Sequence, residues 1–156
     1  ADLPKLIDFL ETGETPFDRA NTTAHFTASA WIVNRERTKV LMVYHNIYNS
    51  WSWIGGHADG MEDLCAVAMK ELQEETGIAT GTLTNIGRFI SRDTIYETFL
   101  CVTVCDKNSV TLQEGETVSY KWISEAEFIS FVNSDAMIDV QYQRYLPYLK
   151  QMGYVK

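Results

Sequence analysis

Three carboxylates, Glu71, Glu74 and Glu75, fall at spacings of three and four within the stretch WSWIGGHADGMEDLCAVAMKELQEETGI, residues 51–78. On a helix such residues are neighbours, so these like charges repel one another and weaken the helix that carries them. A divalent cation offsets that repulsion. Hard oxygen ligands are what Mg²⁺ prefers, with waters completing its shell. Just upstream stand Gly55 and Gly56. A glycine turn brings backbone carbonyls close to a metal held by the following helix. The residues therefore suggest an open magnesium site made of carboxylates and a carbonyl. The competing reading of ELQEE is a solvated acidic face, since glutamate is a good helix former.

These groups need elements to position them. The pattern predicts a helix from about Met61 to Thr76, with Met61, Cys65, Ala68 and Leu72 as the stripe facing a sheet and Gly77 as the stop. Glu62 is expected in its first turn, where the helix dipole favours a carboxylate. A short strand is expected around Ser52–Ile54, broken by Gly55 and Gly56. HFTASAWIV and KVLMVYH alternate and flank the polar turn NRERT, which predicts a hairpin. TLTNIGRFIS, TIYETFLCVTVC and VSYKWI read as further strands. Ser124 and Glu127 have capping-box spacing for a following helix. A last helix is expected from about Met137 to Lys150, with Pro147 marking its end. LPKLIDFLETG reads as an N-terminal helix ended by Gly13. Strands, a helix, more strands and then helices give an α+β fold with a mixed, largely antiparallel sheet and helices packed on it.

With 156 residues the chain makes one domain, 1–156, in which 1–22 form a helical N-terminal extension. That extension suits a lid or a contact in a homodimer. The net charge of −8 argues against a broad basic face for nucleic acid, and leaves room for a phosphate-bearing small molecule met by a few local cations. No apolar run approaches membrane-spanning length. The N-terminal residues ADLPKLIDFL lack a secretion signal, so a cytoplasmic protein is expected. Cys65, Cys101 and Cys105 are odd in number and lack metal spacing, and read as small buried apolar residues.

Residues 56–78 resemble the Nudix box, G-x5-E-x7-R-E-U-x-E-E-x-G-U, where U is a bulky aliphatic residue. Gly56, Glu62, Glu71, Leu72, Glu74, Glu75, Gly77 and Ile78 match eight of its nine specified positions. Chance agreement at those eight is on the order of 10⁻⁸ per start position. Lys70 departs, standing where the family has arginine. Lysine offers a point charge in place of a two-pronged grip on a carboxylate, which implies a looser site.

The resemblance implies a Nudix-type α/β/α sandwich. It also implies Mg²⁺-dependent hydrolysis of the pyrophosphate bond in a nucleoside diphosphate linked to another moiety, with Mn²⁺ able to substitute. Metal ions neutralise phosphate oxygens and lower the pKa of an attacking water. By position in the box, Glu71, Glu74 and Glu75 are the expected metal ligands, with a carbonyl from Gly55–Gly56 and a further acid, Glu116 or Glu114, from a later loop. Lys70 is expected to orient a catalytic glutamate. Glu71, Glu74 and Glu116 carry the expected acid–base and ligand chemistry, and the choice of base stays open between Glu71 and Glu116. Such a cluster predicts activity that falls on acidification.

Substrate contacts are expected from Arg88 and Arg92, four apart on one strand, from His57 in the glycine loop, and from an aromatic near the box such as Trp53. Each has a plain structural alternative as a strand-face, loop or core residue. Two rival functions share the fold. One is a non-catalytic nucleotide-binding module, which tends to lose the box glutamates. The other is an isopentenyl diphosphate isomerase-like enzyme, which needs a positioned cysteine.

Overall fold

The structure, a computed structural model, describes residues 3–12, 15–79, 81–91 and 93–156. The expected stop at Gly13 and the expected contact at Arg92 lie outside these residues. Along the chain run α1 (Leu3–Thr12), β1 (His25–Asn34), β2 (Lys39–His45), β3 (Ser50–Ser52), β4 (Ile54–His57), α2 (Leu64–Thr76), β5 (Thr82–Ile90), β6 (Thr94–Thr103), β7 (Thr117–Ser124), α3 (Glu125–Val132) and α4 (Asp139–Gln151).

The strands form one mixed sheet around β1. Along its whole length β1 pairs in parallel with β6, from His25 opposite Thr94 to Asn34 opposite Thr103. Its other edge is shared. Thr27–Ala30 pair with β4, and Ile32–Val33 pair with β2 beside the predicted hairpin turn. β5 adds antiparallel to β6, and β3 and β7 add antiparallel to β2. The mixed, largely antiparallel sheet expected from the sequence is thus present.

Alternation along β1 sorts the core into two layers, because successive strand side chains point to opposite faces. Phe26, Ala28, Ala30 and Ile32 pack in a cluster with Val67, Ala68 and Leu72 of α2 and Leu6 of α1. Trp31 and Val33 join a second cluster with Phe128 and Val132 of α3 and Tyr145 and Leu149 of α4. That is an α/β/α sandwich. On α1, Leu6 is buried while Ile7 and Leu10 are exposed.

Several boundaries differ from the sequence reading. α2 begins at Leu64, because the Asp63 side chain accepts from Ala66 N at 3.0 Å and caps the helix there. Glu62 consequently lies outside the helix. The buried stripe of α2 is Val67, Ala68 and Leu72, whereas Cys65 is exposed. Gly77 ends the helix as expected, at φ 71° with its N–H on Gln73 O. The capping box of Ser124 and Glu127 is formed. Pro147 sits inside α4, which continues to Gln151. Gly55 and Gly56 do not break a strand: they lie within β4, opposite Ser29 and Ala28.

Candidate active site

β4 needs its glycines because two elements close on it from opposite sides. A Cβ on Gly55 would lie 2.6 Å from Ser29 Cβ and 2.8 Å from Ala28 O, inside the sheet. A Cβ on Gly56 would lie 2.4 Å from Glu71 Cδ and 2.5 Å from both Glu71 carboxylate oxygens. Gly56 therefore leaves room for the Glu71 carboxylate to rest directly on the strand.

These residues line a cleft of about 410 Å³ between α2, β4, the loop before β7 and α4. Gly55, Gly56, His57, Lys70, Glu71, Glu74 and Glu116 all contribute to its walls. Glu114 does not, so of the two loop acids the structure brings only Glu116 to the cleft. Burial raises the Glu71 carboxyl from 4.5 to about 7, with Glu75, Glu74 and Glu116 adding repulsion and Lys70 opposing it. Lys70 Nζ stands 3.5 Å from Glu74 and 4.0 Å from Glu71.

Glu75 lies under the cleft, 2% exposed. Gly55 N–H donates to its Oε1 at 3.0 Å, and His45 Nε2 is 2.9 Å from its Oε2. That contact raises the His45 pKa against the opposing effect of burial. Each carboxylate oxygen offers two acceptor positions, so both oxygens of Glu75 keep one.

Among the described residues no three His, Cys, Asp or Glu side chains converge as a preformed metal cage. Mg²⁺ does not require one. It dehydrates reluctantly, keeps several waters and binds through one or two carboxylates plus substrate phosphate. A half-buried carboxyl raised to about 7 by burial first and by like charges second, beside two more exposed acids on the same cleft, suits a hard cation of that kind.

The expected substrate contacts divide. His57 lines the cleft, its ring 5.2 Å from that of His25; burial, then Arg19 and His25, lower its pKa, so it is a neutral hydrogen-bonding group near pH 7. Trp53 reaches the cleft only by an edge. It is 3% exposed and packs against Tyr145 at 4.3 Å between ring centres, as a core residue. Arg88 is not brought to the cleft: its Nε and Nη2 bind the two oxygens of Glu97 at 2.9 and 2.7 Å, across the β5–β6 ladder. Its cation is spent on a buried carboxylate.

Other cations line the cleft. Arg144 of α4 lines the cleft with its guanidinium 3.7 Å from the centre of the Tyr96 ring. Gln141, one turn earlier, is buried beside it. Gln141 Oε1 and Arg144 Nε are both buried without a partner in the protein, and a ligand's polar edge would satisfy them. Arg19 is held at the rim by both oxygens of Asp59. Three-residue spacing on the last helix is the only trace that Gln141 and Arg144 leave in the sequence, and nothing there points that face at the box. Cys101 is fully buried in the core and Cys105 is partly buried; neither is among the residues that line the cleft.

The family model of the NUDIX domain matches residues 23–147. A hydrolase of the NUDIX family from Clostridium perfringens superposes with a TM-score of 0.62 at 20% identity, over 82% of this chain and 97% of that one. The NUDIX domain of Shewanella oneidensis NrtR, complexed with ADP ribose, gives 0.63 at 16% identity, over 94% and 96%. The E. coli dihydroneopterin triphosphate pyrophosphohydrolase gives 0.61 at 16%, over 81% and 95%. Comparison with curated protein sequences finds no match. Identities this low speak for the fold alone. The match over residues 23–147 goes further, and by it the chain belongs to the NUDIX hydrolase family.

Proposed function

We propose that the chain hydrolyses the pyrophosphate bond of a nucleoside diphosphate linked to another moiety, using Mg²⁺ or Mn²⁺ held by Glu71, Glu74, Glu75 and Glu116 together with backbone at Gly55–Gly56. The observation that carries this reading is the Glu71 carboxyl, raised to about 7 where it rests on Gly56 beside three other acids. Bound there, the cation supplies neutralisation of the phosphate oxygens and activation of water.

The chain's own residues account for the rest. Glu71 and Glu116, both on the cleft wall, are the two carboxylates placed to accept a proton from the attacking water. Lys70 steadies Glu74 and Glu71. Arg144, which lines the cleft with no carboxylate partner among the described residues, offers positive charge to the phosphates. The exposed Tyr48, which also lines the cleft, offers a face for a base. Three free thiols accord with a reducing compartment, for which the cytoplasm is proposed. A homodimer formed through the exposed Ile7 and Leu10 of α1 is the proposed assembly, checked by sedimentation with and without residues 1–22.

The test is a panel of nucleoside diphosphate derivatives with Mg²⁺ or Mn²⁺, following products, beside Glu71→Gln. Hydrolysis that stops with EDTA and falls by orders of magnitude in the variant supports the reading. Turnover unchanged by EDTA overturns it. Tight nucleotide binding without turnover of any member would identify a sensor.

A further inference from the structure

The glutamates of α2 do not share one source of support. Lys70, at the position where the Nudix box has arginine, reaches Glu74 and Glu71. The side chain that grips Glu75 comes from a different element. His45 is the last residue of β2, at an irregularity in the β2–β7 ladder where Tyr44 faces Ser119 but His45 faces Thr117. There the imidazole meets the α2 carboxylate at 2.9 Å, with both side chains buried at 8% and 2% exposure. Gly55 N–H holds the other oxygen, so the carboxylate is fixed at both ends between β2 and β4. The next residue, Asn46, donates its N–H to Glu116 O at 2.9 Å. One two-residue step at the end of β2 thus ties down both Glu75 and the backbone of Glu116.

We propose that His45 is the positioning residue for Glu75, turning that carboxylate toward the cation site from β2 while Lys70 serves Glu74 and Glu71. The inference rests on the reading of Glu75 as a cation ligand. Groups that fix a ligating carboxylate from behind raise metal affinity by restricting its orientation, and their loss typically weakens binding 10–100-fold.

The test measures Mn²⁺ binding to the metal-free protein by electron paramagnetic resonance, without substrate, for wild type, His45→Gln, His45→Asn and Glu75→Gln. Gln carries an amide N–H to about the place of Nε2; the shorter Asn stays polar but cannot reach Glu75. The expected result is a Kd about 10–100-fold weaker for His45→Asn, within about threefold of wild type for His45→Gln, and weakened at least as far for Glu75→Gln. Mg²⁺ titrations of activity should show the same shift in half-saturation for His45→Asn, with kcat recovered at saturating metal. Thermal unfolding of each metal-free variant confirms the fold. Should His45→Asn not fold, His45→Leu takes its place with the same expectation. Weak binding in Glu75→Gln with unchanged binding in His45→Asn overturns the role of His45 and leaves the metal reading standing. Unchanged binding in Glu75→Gln overturns both.

Discussion

Replacing Glu71 with glutamine should inactivate the protein and, without metal, make it more stable. Glutamine keeps the shape that Gly56 accommodates and removes the charge that its surroundings oppose. The carboxyl moves from 4.5 to about 7 on folding. At about 1.4 kcal/mol per tenfold change in proton affinity, that is at most about 3–4 kcal/mol. Screening at the open mouth of the cleft reduces it to about 1–2 kcal/mol.

The sign follows from the folded value lying above the unfolded one. The folded chain holds the Glu71 proton more tightly, so this contribution is complete below about 4.5 and is lost as the pH rises through about 7. In EDTA, wild type should lose about 1–2 kcal/mol between pH 5 and pH 8.5 relative to Glu71→Gln, and the variant should unfold about 2–8 °C higher at pH 8.5. Taking the difference between the two proteins cancels the titrations of His45 and His57. Saturating Mg²⁺ should reverse the order, since at one hundred times Kd a ligand adds about 2.7 kcal/mol to the protein that binds it. Thermal unfolding at three pH values, with EDTA or Mg²⁺, measures all of this. A metal-free variant less stable than wild type at pH 8.5, or one with the same pH slope, refutes the account of Glu71 as a charge held against its neighbours.

Gly56→Ala should keep the fold but force the Glu71 carboxylate away, cutting kcat by about 100-fold or more, as expected of a misplaced catalytic group; steady-state kinetics beside a melting curve checks this. Gly55→Ala meets backbone instead, and should cost about 1–3 kcal/mol of stability in urea unfolding. Arg88→Ala strips the partner from a buried Glu97 and should lower stability by about 1–3 kcal/mol with KM unchanged; a raised KM would restore it as a substrate contact. Arg144→Ala should raise KM about tenfold with a smaller effect on kcat, through loss of a charged contact in the cleft.

What could be read from the sequence was what depends on near neighbours. The alternation of β1, the capping box at Ser124 and the stop at Gly77 are local, and each is found in place. So is the spacing of Glu71, Glu74 and Glu75, all on one helix. The apparent pattern starts α2 too early because Asp63, a better cap than its neighbours, lies inside it. In the sequence the glycines read as a break, because their reason lies in two distant partners, Ser29 and Glu71. In the sequence Arg88 reads as a substrate contact, because Glu97 becomes its neighbour only through the β5–β6 register. Arg144 stayed hidden because no local pattern tells which face of α4 turns toward the box. The cleft thus divides into a legible acidic half on one helix and a second half assembled by tertiary contacts.

The parallel ladder of β1 and β6 joins residues far apart along the chain: Thr94, the partner of His25, follows it by 69 positions (94 − 25). All of α2 and β4 lies inside that span, while Tyr96 and Arg144 enter from beyond it. A fragment ending before β6 would carry every box glutamate and still have no far wall to hold a nucleotide against them. Cutting the chain between β5 and β6 should therefore yield two pieces inert apart, with turnover returning only when they are mixed and the long ladder closes.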